Sequence, residues 1–294
     1  MDTQLLEAFV AVAETGSFSI AAERMHITQP AISKRIALLE DILNSRLFDR
    51  ISRTIYLTEA GKELLPRANH ILAEIRDAKQ AIADLSGYIS GSLRIAISHH
   101  LGLHRLPPIL KDFANANPGV SMKAEFMDSE IAYDGILHGR FDVAVITLAP
   151  EPHPRILSHA IWQDRLVPLV SRDHPLAKKR KIDLRSLSEF PAILPGLETY
   201  TGRMIQKRFD NSGYSLNATM ATNYLETIKM LVSVGLGWSI LPAIMKDDKL
   251  RILECEELTL SRDLGYIHHS EKTLSNAART FISLLETCKT DLID

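Results

Sequence analysis

With 294 residues, 46% of them hydrophobic, the chain is long enough for about two domains with ordinary buried cores. A formal net charge of -2 excludes a protein held on nucleic acid by bulk charge, so any such affinity has to come from a local patch. Two cysteines, Cys255 and Cys288, stand far apart in no metal-ligand spacing, which excludes a disulfide framework and fits a reducing, cytoplasmic compartment; no run is apolar for long enough to span a membrane.

The first fourteen residues are amphipathic and acidic, with no basic leader or small-residue cleavage site, so they do not read as a secretory signal. From Ser17 to Leu39 the pattern predicts two short helices joined by a tight turn. The first buries Ala21, Ala22 and Met25, and Ile27 packs under the turn. Thr28 is a suitable N-cap for the second helix, with Pro30 in its first turn, where a missing N–H costs nothing. That helix buries Ala31, Ile32, Ile36 and Leu39 and shows Gln29, Ser33, Lys34 and Arg35, side chains able to reach base edges or phosphates from a major groove.

Between Arg24 and Tyr56, six basic residues (Arg24, Lys34, Arg35, Arg46, Arg50, Arg53) face three acidic ones (Glu40, Asp41, Asp49), a local excess of three. The segment Phe48 to Leu57 is similar to the β-hairpin wing of a winged helix, placing Arg50, Arg53 and Thr54 for contact with phosphates or a minor groove, which positions a reading helix without specifying sequence. Further on, Leu64, Ala68, Ile71, Ile75, Ala78, Ile82 and Leu85 alternate spacings of four and three, the seam of a coiled coil. Pro66 predicts a kink or restart in this helix. The stripe fits either a partner helix or packing on the chain's own C-terminal region.

The order Phe18, Ala21-Ala22-Glu23, Thr28 to Ser33, Ile36, Leu39-Glu40, Leu47 to Arg50 and Leu57 to Gly61 resembles the N-terminal domain of LysR-type transcriptional regulators. The segments Gly139 to Val145, Asp173 to Leu176 and Leu231 to Pro242 extend the resemblance over essentially the whole chain, most weakly at 148–161 and 243–260. It implies an overall α/β protein: a winged helix-turn-helix domain (1–57), a linker helix that pairs with a second subunit (58–90), and a two-lobed effector domain like periplasmic solute-binding proteins (91–294). Lobe I would take about 91–163 and 264–294, lobe II about 164–263.

After the flexible junction at 86–91, strands and helices alternate, predicting a largely parallel sheet. Strands are expected at 93–97, 120–126, 141–146, 166–170, 192–194, 218–221, 238–241 and 264–268, with helices at 106–116, 131–138, 202–209, 225–234 and 275–289. In such sheets ligands bind beyond the carboxyl ends of strands, where helix N-termini offer free N–H groups. The residues there are Ser98, His99 and His100, Met127 to Ser129, Thr147, Pro195 to Thr201 (with Thr199 and Tyr200), and Thr222-Asn223. Ser98, His100, Thr147 and Thr201 occupy positions that, by the resemblance, line an effector cleft; hydroxyls and protonatable imidazoles there suit a small anion.

Eleven histidines raise a metal site, but with a helix starting after His104 the residues His100 and His104 need not share a helical face, and no Cys or carboxylate completes a familiar ligand set. No Gly-rich phosphate loop or nucleophile elbow is present, so neither a cofactor nor catalysis is expected. The reading is a LysR-type regulator, dimer or tetramer, that binds promoter DNA, answers to a small effector and alters DNA bending or contact with RNA polymerase. An enzyme tethered to DNA and a transport-type binding protein remain the alternatives from other classes.

Overall fold

The computed structural model of the chain describes residues 2–51, 54–85, 87–179 and 181–289. It divides into two compact units, residues 1–88 with 138–140, and 89–137 with 141–294.

In the first unit, α1 (Thr3–Thr15), α2 (Phe18–Arg24) and α3 (Gln29–Leu43) close on one core of Leu6, Phe9, Val12, Ala21, Ala22, Ile32, Ile36 and Leu39. Met25, Ile27 and Ala31 are half-buried at its margin. Each helix starts on an oxygen cap: Asp2 accepts from Gln4, Ser17 from Ile20, and Thr28 from Ala31, as its sequence position predicts. The wing is an antiparallel hairpin of β1 (Phe48–Ile51) and β2 (Thr54–Leu57), and the Phe48 ring packs at a tilt on Phe9 and edge-on to Phe18, fastening the hairpin to the helices. Glu40 accepts from the backbone N–H of Leu47, which fixes the entry to the wing.

At the exit, Thr58 caps α4 (Glu59–Asp84), accepting from Gly61 N–H and donating to Arg46 C=O. Gly61 is required by close approach: a Cβ there would stand 2.3 Å from the carbonyl oxygen of Leu47. The helix α4 runs through Pro66 as one element of 26 residues, so the restart expected at the proline does not occur. Its seam is uneven. Ala68 is buried in the core of this unit, whereas Ile71, Ile82 and Leu85 are 37%, 72% and 85% exposed.

The second unit is built on one seven-stranded sheet of β3 (Gly91–Ser98), β4 (Val120–Met127), β5 (Val143–Thr147), β6 (Ile156–Ser171), β9 (Ser239–Pro242), β10 (Leu250–Ile252) and β11 (Leu260–His269). Their order is β10-β6-β11-β5-β3-β4, with β9 also paired to β6. Only β3–β4 and β3–β5 are parallel, so the sheet is mixed rather than largely parallel. The antiparallel share comes from β6 and β11, which pair over ten residues and run through both halves of the unit. A separate parallel pair, β7 (Ala192–Leu194) and β8 (Ala218–Ala221), completes the strands.

Helices α6 (Leu106–Ala116) and α11 (Asn276–Thr287) cover one face of the β3–β5–β11 end through Leu106, Ile109, Phe113, Phe281 and Leu285, and α7 (Ser129–Leu137) covers the other through Ala132 and Ile136. At the other end, α8 (Leu184–Ser188), α9 (Tyr200–Asn211) and α10 (Leu225–Ser233) pack around Trp238, Phe209, Ile205 and Ile228. Packing at both ends of one sheet makes two lobes, with β6 and β11 as the elements common to both. Among the described residues no helix is long and apolar enough to cross a membrane.

Candidate effector cleft and DNA-reading surface

On α3, Gln29, Pro30 and Lys34 are exposed, and Ser33 and Arg35 are half-buried. The Thr28 hydroxyl is occupied as a cap. Gln29 Nε2 donates to Ser33 Oγ at 3.0 Å, an i, i+4 pair that aligns both side chains along one face. The Arg35 guanidinium donates to Gln4 Oε1 of α1 at 2.8 Å and so ties α3 to α1. In the wing, Arg53 lies outside the described residues, and of Arg50 and Thr54 only the strand backbone is described.

In the second unit one cleft gathers Ser98, His99, His100, Met127, Thr147, Thr199, Tyr200 and Thr201 from both lobes. Thr222 is not among its walls; its hydroxyl accepts from Tyr224 N–H instead. The cavity measures about 60 Å³ for water-sized occupants, room for roughly four to six waters. Backbone geometry sets its floor. The loop at Pro195-Gly196 lies over the first turn of α9, and a Cβ on Gly202 would be 2.1 Å from Gly196 O, so only glycine fits. Thr199 caps α9 by accepting from Gly202 N–H and donates to Gly196 C=O.

The electrostatic centre is a pair absent from the sequence expectation. Asp164 of β6 and Arg262 of β11 face each other in register and meet at 3.1 Å, with both side chains buried. Arg262 Nη1 also donates to Thr201 Oγ1 at 3.1 Å. Arg105 reaches the other Asp164 oxygen at 3.4 Å while its guanidinium lies over the Trp162 ring. Burial pushes the Asp164 carboxyl up, but His100, 3.3 Å away, and Arg262 outweigh it and hold it at about 2. Burial pulls Arg262 down and Asp164 opposes that shift; the guanidinium stays charged.

Among the described residues of the cleft walls, Ser98 Oγ, His100 Nδ1 and Arg262 Nε are buried without a hydrogen-bond partner, while His100 Nε2 has the Asp164 carboxylate 3.3 Å away. Nature leaves few such groups unpaired. Burial lowers the pKa of His100 and outweighs the carboxylate nearby, so the positive charge expected of it below neutral pH appears only as the pH falls further. One correction concerns its surroundings: His99–His104 form the helix α5, and the His100 and His104 rings come together at 4.9 Å between centroids.

Further contacts cross the cleft. Glu130 of α7 accepts from Tyr200 N–H at the first turn of α9, Asn223 donates to Asp128 at 2.8 Å, and His104 Nε2 lies 2.6 Å from Glu226 Oε1. Burial raises the Glu130 carboxyl. Asp128 and Asn223 are among the strand-end residues named from the sequence, and Glu130 follows that set directly; Asp164 and Arg262 were out of reach of the strand-end rule, because they sit inside strands.

Two family models match these same regions: "LysR substrate binding domain" over residues 86–289 and "Bacterial regulatory helix-turn-helix protein, lysR family" over residues 3–62. The chain belongs to the LysR family. It is a transcriptional regulator rather than an enzyme, as are its full-length relatives. It is 31% identical to the HTH-type transcriptional activator CmpR of Synechocystis sp., over 95% of this chain and 93% of that one. An uncharacterized HTH-type regulator in the ibpB-leuC intergenic region of Azotobacter vinelandii is 61% identical over 108 residues, 37% of this chain and 75% of that one. The crystal structure of full-length CbnR complexed with target DNA shares the fold, with a TM-score of 0.66 and 23% identity over 98% of this chain and 100% of that one.

Proposed function

We propose that this LysR-family regulator is a cytoplasmic dimer or tetramer that binds promoter DNA through α3 and the wing, and that a small anion held between Ser98, Thr147, Thr201 and Arg262 sets its affinity for that DNA or its contact with RNA polymerase. The observation that carries the reading is that one small cavity is lined by both Arg262 and Ser98, a buried guanidinium and a buried hydroxyl that each keep an atom without a hydrogen-bond partner, Nε and Oγ. A carboxylate or oxyanion accepts from both, and charge-assisted bonds of this kind are the strong ones.

The local excess of only three positive charges means that one reading head binds weakly, so a second copy is needed for useful affinity. The exposed half of the α4 seam, Ile82 and Leu85, is the surface that would bring it. Ligand in the cleft acts on DNA only as far as it binds one lobe arrangement better than another.

A thermal-shift panel of small anions on the full chain, followed by operator gel shifts with any hit, tests the reading. A true effector at a hundredfold excess over its Kd raises the midpoint by about 5 to 10 °C and changes operator affinity. Stabilisation by neutral or cationic metabolites alone would overturn the anion assignment.

A further inference from the structure

Beside the polar cleft lies a second cavity of about 480 Å³, against about 60 Å³ for the cleft itself. The two share His99, His100 and Leu225, and the larger one adds Leu103 of α5, Phe126 of β4 and Tyr224 at the start of α10. These three side chains are 58%, 51% and 54% exposed. A lone exposed leucine means little, but three large apolar groups from separate segments around one cavity mark a place that something apolar covers. The His99 ring, 4.6 Å from that of Tyr224, stands between the chamber and the cleft. At the rim is Glu226, held by His104.

We propose that the chamber takes the apolar body of the effector, so that the ligand is an organic monocarboxylate with a short branched or aromatic tail. Its carboxylate lies in the cleft against Ser98 and Arg262, and the tail passes His99 and His100 into the chamber. Leu103 and Phe126 belong to one lobe and Tyr224 and Leu225 to the other, so a tail that fills the space touches both and favours their approach. Glu226 at the rim opposes a second acid group at the far end of the tail. The inference rests on the anion reading above.

Isothermal titration of the full chain with acetate, butanoate, hexanoate, benzoate and hexanedioate tests it. Each added CH2 from acetate to hexanoate is expected to tighten binding about fourfold, with hexanedioate weaker than hexanoate. Leu103→Ser, at an exposed position that tolerates a polar group, flattens that slope, and Phe126→Ser does the same by deleting a wall. Circular dichroism on both variants shows whether they are folded. Acids of every length binding equally would overturn the chamber and leave the anion reading standing. Hexan-1-ol binding as tightly as hexanoate would overturn the anion reading, and the carboxylate assignment with it. No binding by any of the acids would overturn both.

Discussion

Asp164→Asn removes the counter-ion of a fully buried arginine while keeping the shape of the side chain. Arg262 then retains one Thr201 hydroxyl and faces a neutral amide, with Arg105 and His100 also deprived of their carboxylate. Breaking a buried pair from one side costs about 3–5 kcal/mol, because the remaining charge has lost its compensation. Part of this is visible as pH dependence. A carboxyl held at about 2 in the folded state, against an ordinary 3.8, contributes about 2 kcal/mol at neutral pH. That contribution is complete above about pH 5 and is lost as the pH falls through about 2. Urea titrations of the full chain at a series of pH values read both effects. The variant is expected to unfold at lower urea at pH 7 with an unchanged slope, and to lose less stability than the parent between pH 5 and pH 2. The double variant Asp164→Asn/Arg262→Met recovers most of the loss, since the uncompensated charge is gone. A cost below about 1 kcal/mol at pH 7, or identical acid profiles, would refute the assignment of this pair as the electrostatic centre of the cleft.

Gln29→Ala or Ser33→Ala is expected to relax discrimination among operator variants by about 1–3 kcal/mol, and unchanged preferences in a binding panel would remove α3 as the reader. Arg50→Ala should weaken binding to all DNA sequences alike and flatten the salt slope by about one unit; a preserved slope would mean that the wing does not touch phosphate. Ile82→Asp, at a position 72% exposed, should leave the midpoint of unfolding of a single chain unchanged yet abolish self-association in sedimentation. Gly202→Ala sets a methyl against the Gly196 carbonyl and should destabilise the chain by about 1–3 kcal/mol, with loss of any effector-induced thermal shift.

The helices of the first unit were legible because each carries a cap and an apolar stripe that agree, as at Thr28 with Ile32, Ile36 and Leu39. In the second unit the helix Leu106–Ala116 and the strands Ala192–Leu194 and Ala218–Ala221 lie where the pattern puts them. What escaped was Gln163-Asp164-Arg165 in the middle of β6 and Ser261-Arg262-Asp263 near the start of β11, which fell outside the expected strands, because period-two alternation has no way to signal a charge buried by a charge on a strand far away in sequence. The same gap hid the antiparallel half of the sheet. The helix α5 was hidden differently, since Pro107 and Pro108 mark the start of α6 so strongly that the six residues before it read as a loop.

The position of the pair Asp164–Arg262 also bears on how a ligand could switch the protein. It lies on β6 and β11, the strands both lobes share, so a ligand that touches only Arg262 meets a part of the structure common to any arrangement of the lobes. Inverting a population from 1:99 to 99:1 takes about 5.5 kcal/mol of differential affinity. One charge-assisted hydrogen bond supplies about 1.5–3 kcal/mol and a neutral one about 0.5–1.5, and those to the shared strands count equally in both states. The differential must therefore come from groups that belong to one lobe and approach the other: Thr147 and Ser98 on one side, Thr201 with the α9 terminus on the other. Glu130 already occupies Tyr200 N–H across that gap, a carboxylate of the chain itself bridging the lobes. A ligand thus competes with a bridge that exists without it, and Glu130→Gln, which weakens the bridge, should lower the midpoint of the free chain and enlarge the effector-induced shift. An unchanged shift would place the switching contact elsewhere in the cleft.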